Sequence, residues 1–213
     1  MTKNELHILV ATKNSGKIKE LKELLADLPL QLRSLNEFSN VIDVEETGAT
    51  FAENAVLKAK SYALQTGLWA LADDSGLEVA ALNGAPGVFS ARYAGENSTD
   101  AEKITKLLEE LNKTHDKKRQ ARFVCEIAIS DDKGEIKFLA EGSCDGTIAL
   151  TPSGTNGFGY DPIFIPVGFE QTFGELESEI KQKISHRAQA IKKIIQFLGG
   201  FITPQLDLTT FRL

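Results

Sequence analysis

The sequence predicts an α/β fold in which helices flank a mixed β-sheet. Apolar runs typical of buried strands alternate with segments of helical periodicity, starting within the first ten residues. Two later strand-like runs are joined by a short polar turn, which indicates a hairpin. A hairpin added to alternating strands and helices makes a mixed sheet the expected arrangement.

The first half of the chain predicts two of the helices. Residues 7–11 form a buried strand, and apolar residues then recur at helical spacing over residues 18–28. The second helix is predicted to begin at Thr50, because Thr50 and Glu53 have the spacing of a capping box. It is expected to end before Gly67.

The second half predicts the remaining elements from apolar patterns. These are strands at 68–72, 122–130 and 135–141, and helices at 98–111 and 178–198. At the start of the first of these helices, Thr99 and Glu102 again have capping-box spacing. The strand at 68–72 is expected to break at the polar run 73–76, and residues 131–134 are expected to form the hairpin turn. The tail beyond residue 200 is left unassigned.

Composition restricts the class of protein. The 213 residues predict a single domain, 1–213, with one core or two small lobes. No run approaches the roughly 18 apolar residues of a membrane helix, and the N-terminus does not resemble a signal peptide. Because no export signal is recognised, Cys125 and Cys144 are expected to be reduced thiols of a cytoplasmic protein. The net charge of −6 argues against a general nucleic-acid surface.

The polar loop at 12–17 lies between a predicted strand and a predicted helix. Backbone N–H groups at such a junction can bind an anion, and Lys13 and Lys17 add positive charge. The loop is not a Walker P-loop, because the first glycine of that pattern is missing and Ile18 replaces the magnesium-binding Ser or Thr. A phosphate site and an ordinary capped helix start are both compatible with these residues.

Two acidic pairs are candidates for metal binding or acid–base chemistry. Asp73 and Asp74 follow a buried run, where two carboxylates repel each other and lose solvation unless a cation relieves them. Glu45 and Glu46 matter if the fold brings one of them to Asp74, since Mg²⁺ favours a few carboxylates plus water. The alternatives are an acidic turn for the first pair and solvated surface charges for the second.

The glycine-rich loop at 154–162 contains two aromatic residues. An exposed ring of Phe158 or Tyr160 can stack on a planar base, and Asp161 can accept a hydrogen bond from a base edge. In the alternative interpretation, the loop is a turn whose aromatic side chains return to the core.

Cations border the apolar stripe of the last predicted helix. On one helical wheel Lys181 and Arg187 flank the stripe, and His186 points further round. Cations at such a border need a carboxylate partner or an anionic ligand. An ion pair with Glu177 or Glu179 and a contact with a ligand are both compatible with this pattern.

Six motifs occur in the order and spacing of one family of nucleotide hydrolases. They are ATKNSGK at 11–17, EETGATFAENA at 45–55 followed by Lys58, ADDSGL at 72–77, GAPGVFSARYAG at 84–95, GFGYDPIF at 157–164 and SHR at 185–187. The chain therefore resembles the inosine triphosphate pyrophosphatase family, the HAM1-like pyrophosphatases of non-standard purine nucleotides. The resemblance extends to about residue 200.

The resemblance implies a fold and an activity. The implied fold is the two-lobed ITPase-like fold, with a long mixed sheet, a substrate cleft between the lobes and a homodimeric assembly. The implied activity is Mg²⁺-dependent hydrolysis of dITP, ITP and XTP to the monophosphate and pyrophosphate, which removes these nucleotides from the cellular pool.

The resemblance also implies residue roles. Asp74 is the implied general base, Lys58 supports the phosphates, and Glu46 or Glu45 binds Mg²⁺ together with Asp74. The implied substrate contacts are Thr12, Lys13, Asn14, Ser15, Gly16, Lys17, Ser75, Phe158, Gly159, Tyr160, Asp161, Lys181, His186 and Arg187. Phe158 is expected to stack on the purine, while donors from His186 or Arg187 favour a 6-oxo group over the amino group of adenine.

Two departures and two rival interpretations accompany the resemblance. Tyr160 replaces the Trp of some members, and Asn156 replaces a common glycine, so the base pocket can differ in shape. The rivals are a pyrophosphatase of the related Maf-like group and a nucleotide sensor without hydrolysis. The acidic set of Glu46, Asp73 and Asp74 argues against a sensor, which has no need of a hydrolytic metal site.

Overall fold

The computed structural model describes residues 6–114 and 118–202, except for the side chain of residue 202. Within these residues it has six strands: β1 (Leu6–Val10), β2 (Leu30–Ser34), β3 (Trp69–Val79), β4 (Gln120–Ser130), β5 (Ile136–Ile148) and β6 (Phe164–Pro166). The α-helices of the same residues are α1 (Ser15–Leu24), α2 (Phe51–Thr66), α3 (Asp100–Lys113), α4 (Ser178–Ile184) and α5 (His186–Ile202). The unassigned tail falls largely outside the described residues.

The strands form one mixed sheet in the order β2-β1-β3-β4-β5-β6. β1 is parallel to both β2 and β3, whereas β6 pairs with β5 in the antiparallel direction. β4 and β5 are neighbours joined by a tight turn, in which the Asp131 N–H donates to the Glu135 carbonyl at 3.0 Å. The predicted mixed sheet and its hairpin are therefore confirmed.

Two helices begin where capping-box spacing predicts. Thr50 Oγ1 accepts from the Glu53 N–H at 3.2 Å, and the Glu53 carboxylate accepts from the Thr50 N–H. Thr99 and Glu102 form the same reciprocal pair ahead of α3. α2 ends where predicted, because Gly67 has a φ of 67°, a conformation that glycine adopts without steric cost.

Two predicted elements are wrong. β3 does not break at 73–76 but continues to Val79, because the polar side chains there have partners from distant elements. The single helix predicted at 178–198 is two helices, since Ser185 has an extended backbone (φ −66°, ψ 157°). Serine is favoured at the position just before a helix, a preference that apolar periodicity does not register. Periodicity also predicts neither β2 nor β6, which are only five and three residues long.

The chain divides into two compact units. Unit one comprises the described residues up to Asp74, Glu126–Glu141, and the described residues from Arg187 onward. Its buried residues include small side chains on α2 and on one face of β3, namely Ala55, Ala59, Ala63, Ala70 and Ala72. These alanines allow α2 to pack closely on β3, which places the residues of the two elements within contact distance.

Unit two comprises the described residues of Ser75–Cys125 and Gly142–His186. Its core contains three packed aromatic rings, with the Phe123 and Phe164 ring centres 4.5 Å apart and Phe173 stacked on Phe164 at 5.4 Å. In the part of the chain that the structure describes, no helix has the length and apolar character needed to cross a bilayer.

Candidate active site

The junction of β1 and α1 combines a helix cap with exposed polar groups. Asn14 is the N-cap, and its Oδ1 accepts from the Lys17 N–H at 3.0 Å. Thr12 Oγ1 accepts from the Asn14 N–H at 3.2 Å. Asn14 and Ser15 are exposed, whereas Thr12 and Gly16 are half-buried. The capped helix start is therefore present, and its accessible N-terminus keeps the character of an anion site.

The two lysines of this loop lie in different surroundings. Lys13 is exposed and pairs with Asp43 at the surface. Lys17 is largely buried, with its Nζ 2.5 Å from Asp73 Oδ1 and 3.4 Å from the Asp73 carbonyl oxygen. Lys17 therefore brings its charge to β3, whereas Lys13 leaves its charge in solvent.

Asp73 belongs to a buried ion network. Arg187 Nε donates to Asp73 Oδ2 at 2.8 Å, and Arg187 Nη2 donates to Oδ1 at 3.4 Å. Arg187 is only 1% exposed and also pairs through Nη1 with Glu20 of α1. Burial would raise the pKa of Asp73, but the charges of Arg187 and Lys17 hold that pKa well below its ordinary range. Asp73 is therefore ionised, with cations on two sides.

Asp74 has a separate set of partners. Lys58 of α2 donates through Nζ to Asp74 Oδ1 at 2.9 Å and to the Asp73 carbonyl at 2.8 Å. The same ammonium lies 2.6 Å from Glu46 Oε1. The structure therefore brings Glu46 and Asp74 to one point, while Glu45 is exposed.

The predicted position of Asp73 and Asp74 at a strand end is wrong, whereas the cations expected to relieve their charges are present. The two residues lie within β3, and successive side chains of a strand point to opposite faces of the sheet. Arg187 and Lys17 pair with Asp73 and Lys58 pairs with Asp74, so each carboxylate has a cation in direct contact.

The pKa values of Asp73 and Asp74 shift in opposite directions. Burial raises the pKa of Asp74, although the charges of Lys58 and Lys17 oppose this effect. Burial would lower the pKa of Lys58, but Asp74 and Glu46 raise it, so the ammonium stays charged. Neighbouring carboxylates whose pKa values move in opposite directions are typical of catalytic sites.

The oxygen donors around Lys58 suit a hard divalent cation. Glu46 and Asp74 supply carboxylates, and Asp73 supplies a backbone carbonyl, around an ammonium that already marks the point as favourable for positive charge. No three His, Cys, Asp or Glu side chains of the described residues are grouped as a metal site. Mg²⁺ commonly takes one or two protein carboxylates and completes its shell with water and substrate phosphate, so this donor set fits Mg²⁺.

The glycine-rich loop of unit two places its aromatic rings differently. Tyr160 is buried, and its hydroxyl donates to the Ser90 carbonyl at 3.0 Å, so this ring returns to the core. Phe158 is half-buried, with Lys181 Nζ 5.0 Å from its ring centre. Of the two aromatic rings, Phe158 is therefore the accessible one.

Buried and exposed carboxylates anchor the same loop. Asp161 Oδ2 accepts from the Phe158 N–H at 2.8 Å and pairs with the buried Lys181. Asp100, in the first turn of α3, accepts from the Gly159 N–H at 2.6 Å. These contacts fix the backbone on both sides of the Phe158 ring, while the predicted hydrogen bond from Asp161 to a base edge stays a prediction.

The residues around the break at Ser185 are buried and well packed. The His186 ring stacks on Phe123, with ring centres 4.7 Å apart and planes at 13°. Lys181 pairs with Asp161, and Arg187 pairs with Asp73 and Glu20, so both cations have carboxylate partners other than the Glu177 or Glu179 named in the ion-pair alternative. Ser75, the residue after Asp74 on β3, is half-buried.

The match to known proteins covers most of the chain. The model of the Ham1 family matches residues 8–197. The chain belongs to the Ham1 family. A dITP/XTP pyrophosphatase of Coxiella burnetii is 51% identical over 190 residues, which are 89% of this chain and 94% of that protein. A dITP/XTP pyrophosphatase of Desulforamulus reducens is 50% identical over 194 residues, 91% of this chain and 96% of that protein.

Solved structures of Ham1 proteins share this fold. A HAM1 protein from Coxiella burnetii has a TM-score of 0.84 and 50% identity, covering 92% of this chain and 99% of that one. The Staphylococcus aureus Ham1 protein has a TM-score of 0.80 and 46% identity, covering 92% and 99%. The family recognised from the six motifs and its mixed α/β fold are therefore confirmed.

Three residues that contact predicted site residues were missed by sequence reasoning. Glu20 pairs with Arg187, Asn54 contacts Asp74, and Asp100 holds the glycine-rich loop. Asn54 lies inside the motif at 45–55, so its position in that motif was the available signal. Glu20 and Asp100 occupy exposed-looking positions of amphipathic helices, where a solvated charge is the ordinary expectation.

Proposed function

We propose that this Ham1-family chain is an enzyme that hydrolyses dITP, XTP and ITP to the monophosphate and pyrophosphate. The observation that carries the proposal is the convergence of Glu46, Asp74 and Lys58, with Lys17 reaching the same Asp73 carbonyl. This places two lysines and two carboxylates within one site of unit one. The names of the relatives, dITP/XTP pyrophosphatases, support the choice of substrate.

The chain's own residues account for the proposed bond changes. A water oxygen forms a bond to the α-phosphorus, and the bond between that phosphorus and the bridging oxygen to the β-phosphorus breaks. Asp74 accepts the water proton, and its raised pKa makes it a stronger base than an ordinary aspartate. The electron pair of the broken bond leaves on pyrophosphate, where the charges of Lys17 and Lys58 stabilise the added negative charge.

Mg²⁺ is the proposed cofactor, with Glu46 and Asp74 as its protein ligands. When bound, it offsets negative charge on the phosphate oxygens. Lys58 holds the same two carboxylates together through its ammonium, which keeps both side chains oriented toward one point. Glu45 is not part of this proposal because its exposed side chain leaves Glu46 as the residue directed at Asp74.

Base recognition is proposed to involve the glycine-rich loop and the residues after Ser185. Phe158 is half-buried, which suits stacking on a purine ring. A donor from His186 or Arg187 would favour the 6-oxo group of hypoxanthine and xanthine over the amino group of adenine. Because Arg187 already donates to Asp73 and Glu20, any contact of its guanidinium with the base must be made alongside these ion pairs.

We further propose that the chain forms a homodimer, as the family resemblance implies, and that it works in the cytoplasm. Light scattering on the purified chain tests the assembly and should give twice the mass of one chain. A mass equal to one chain across a tenfold range of concentration would contradict the dimer.

Product analysis tests the proposed reaction. dITP, XTP and dATP are incubated in parallel with and without Mg²⁺, and pyrophosphate and orthophosphate are measured separately. Magnesium-dependent pyrophosphate from dITP and XTP, with little from dATP, is the expected result. Orthophosphate as the first product would move the attack away from the α-phosphorus. Tight binding without any turnover would support a nucleotide sensor instead.

A further inference from the structure

Asn54 connects two parts of the candidate site through one buried side chain. It lies in the first turn of α2 and is 1% exposed. Its Oδ1 accepts from the Gly48 N–H at 2.7 Å, and its Nδ2 donates to Asp74 Oδ2 at 3.4 Å. One amide therefore contacts both the loop that carries Glu46 and the carboxylate of Asp74.

The hydrogen bond from Gly48 determines which way the amide faces. Only the oxygen of the amide can accept from a backbone N–H, so the NH₂ group is left to face Asp74. The approach of the loop is close, since a Cβ atom at Gly48 would lie 2.7 Å from Asn54 Oδ1. The contact therefore requires both a glycine at 48 and a side-chain oxygen that accepts at 54.

The amide and Lys58 bind different oxygens of the same carboxylate. Lys58 Nζ contacts Asp74 Oδ1, whereas Asn54 Nδ2 contacts Oδ2. A donor on each oxygen fixes the rotation of the carboxyl group about its own axis. Orienting groups of this kind are commonly worth about 10–100-fold in activity or affinity at metal-dependent sites.

We propose that Asn54 is a positioning residue that orients Asp74 and holds the Glu46 loop against it. Asn54 acts through Asp74 and Gly48 and makes no contact with the substrate. The inference rests on the proposed function, in which Asp74 is the base. It adds a residue from the motif at 45–55 to which the sequence analysis gave no role.

α2 carries a matched control for this inference. Gln65, near the other end of the same helix, also holds the segment that precedes α2 through its amide. Its Oε1 accepts from the Ile42 N–H at 2.7 Å, and its Nε2 donates to the Ile42 carbonyl at 3.1 Å. Asn54 and Gln65 thus both anchor this segment, but of these two described residues only Asn54 donates a hydrogen bond to Asp74.

The test compares Asn54→Ala and Gln65→Ala, alone and in an Asp74→Asn background. We expect Asn54→Ala to lower kcat for dITP about 10–100-fold with a KM change under about threefold, since orientation and not binding is lost. Gln65→Ala should keep kcat within about twofold. In the Asp74→Asn background, Asn54→Ala should have little further effect on kcat, because a group that acts through Asp74 loses its target.

A second variant separates the two hydrogen bonds of the amide. Asn54→Asp keeps an oxygen for the Gly48 N–H but replaces the donor toward Asp74 with a second carboxylate oxygen. We expect kcat to fall at least as far as in Asn54→Ala, because the new carboxylate repels Asp74 in addition to removing its donor. This variant also keeps the inference testable if Asn54→Ala does not fold.

Several results would overturn the inference. Equal losses of kcat in Asn54→Ala and Gln65→Ala would make Asn54 a loop anchor only, as would a full loss in the Asp74→Asn background. If the wild type releases no pyrophosphate from dITP, the proposed function itself fails. The wild type, Asn54→Ala, Asp74→Asn and the double variant then give an unfolding cycle in urea, where coupling between positions 54 and 74 supports the contact and additivity excludes it.

Discussion

Asp73 and Asp74 are adjacent on β3 and have the same side chain, yet their pKa values shift in opposite directions. Asp73 is held between Arg187 and Lys17, and its pKa lies well below the ordinary range. Asp74 is near Lys58 and Glu46, and burial raises its pKa. The difference arises from the strand itself, which directs successive side chains to opposite faces.

Asp73 therefore has the contacts of a carboxylate that stabilises the fold, whereas Asp74 is the one proposed to take part in the chemistry. Asp73 is fully paired, so its charge links β3 to α1 and α5. Burial raises the affinity of the Asp74 carboxylate for protons, which is the property required of the proposed general base. Substitutions around Asp73 should therefore mainly change stability, whereas substitution of Asp74 should mainly change turnover.

The largest expected effect is on turnover in Asp74→Asn. We expect kcat for dITP to fall by about 10³-fold or more, because the variant cannot accept a proton and loses a charged oxygen of the site. Steady-state pyrophosphate release with Mg²⁺ measures the change, and circular dichroism checks the fold. Turnover close to that of the wild type would remove Asp74 from the role of base.

Arg187→Ala should have its main measurable effect on stability. Removing the guanidinium leaves Asp73 and Glu20 without their shared cation, and breaking such a buried pair costs about 3–5 kcal/mol. Urea unfolding in the absence of nucleotide measures this directly. If the free energy of unfolding changes by less than about 1 kcal/mol while dITP turnover collapses, Arg187 serves the nucleotide and not the fold.

Acid should weaken the Asp73 network. Because the pKa of Asp73 is lower in the folded than in the unfolded chain, its stabilising contribution is complete above the unfolded value of about 3.9. That contribution is lost as the pH falls toward the folded value. The difference in unfolding free energy between the wild type and Asp73→Asn should therefore shrink from about pH 5 downward. A difference that stays constant with pH would contradict the assignment.

The smallest effect is expected at the glycine-rich loop. Asp100→Ala removes the acceptor of the Gly159 N–H, and we expect KM for dITP to rise about three- to tenfold with kcat nearly unchanged, since one exposed hydrogen bond to a charged group is lost. Lys103→Ala is the control, because it removes the Asp100 ion pair but keeps that acceptor. An equal rise of KM in both variants would point to α3 as a whole.

Local features of the fold were predictable because their hydrogen bonds are local. The start of α2 is capped by Thr50 and Glu53, and its end is marked by Gly67. Each of these hydrogen bonds joins residues three or four positions apart. β3 was predicted too short because its polar residues look like a strand end. Inside the strand, Asp73 is paired with Arg187, which is 114 residues away in the sequence. No local sequence pattern indicates such a contact.

Some features of the candidate site were also predictable from the sequence, and others were not. The convergence of Glu46 and Asp74 was expected because six motifs resembled a known family, and not from their spacing. The wheel drawn through Lys181 and Arg187 was wrong, because Ser185 ends one helix and precedes another. Glu20 was missed because no neighbouring residue in the sequence indicates that it pairs with the buried Arg187.

Hydrolysis of dITP in ¹⁸O-labelled water tests the central claim most directly. Attack on the α-phosphorus, with Asp74 as base, predicts that one labelled oxygen appears in dIMP and none in pyrophosphate, as mass spectrometry of both products would record. Label in pyrophosphate and not in dIMP would place the attack at the β-phosphorus, and the assignment of roles around Asp74 would then be contradicted.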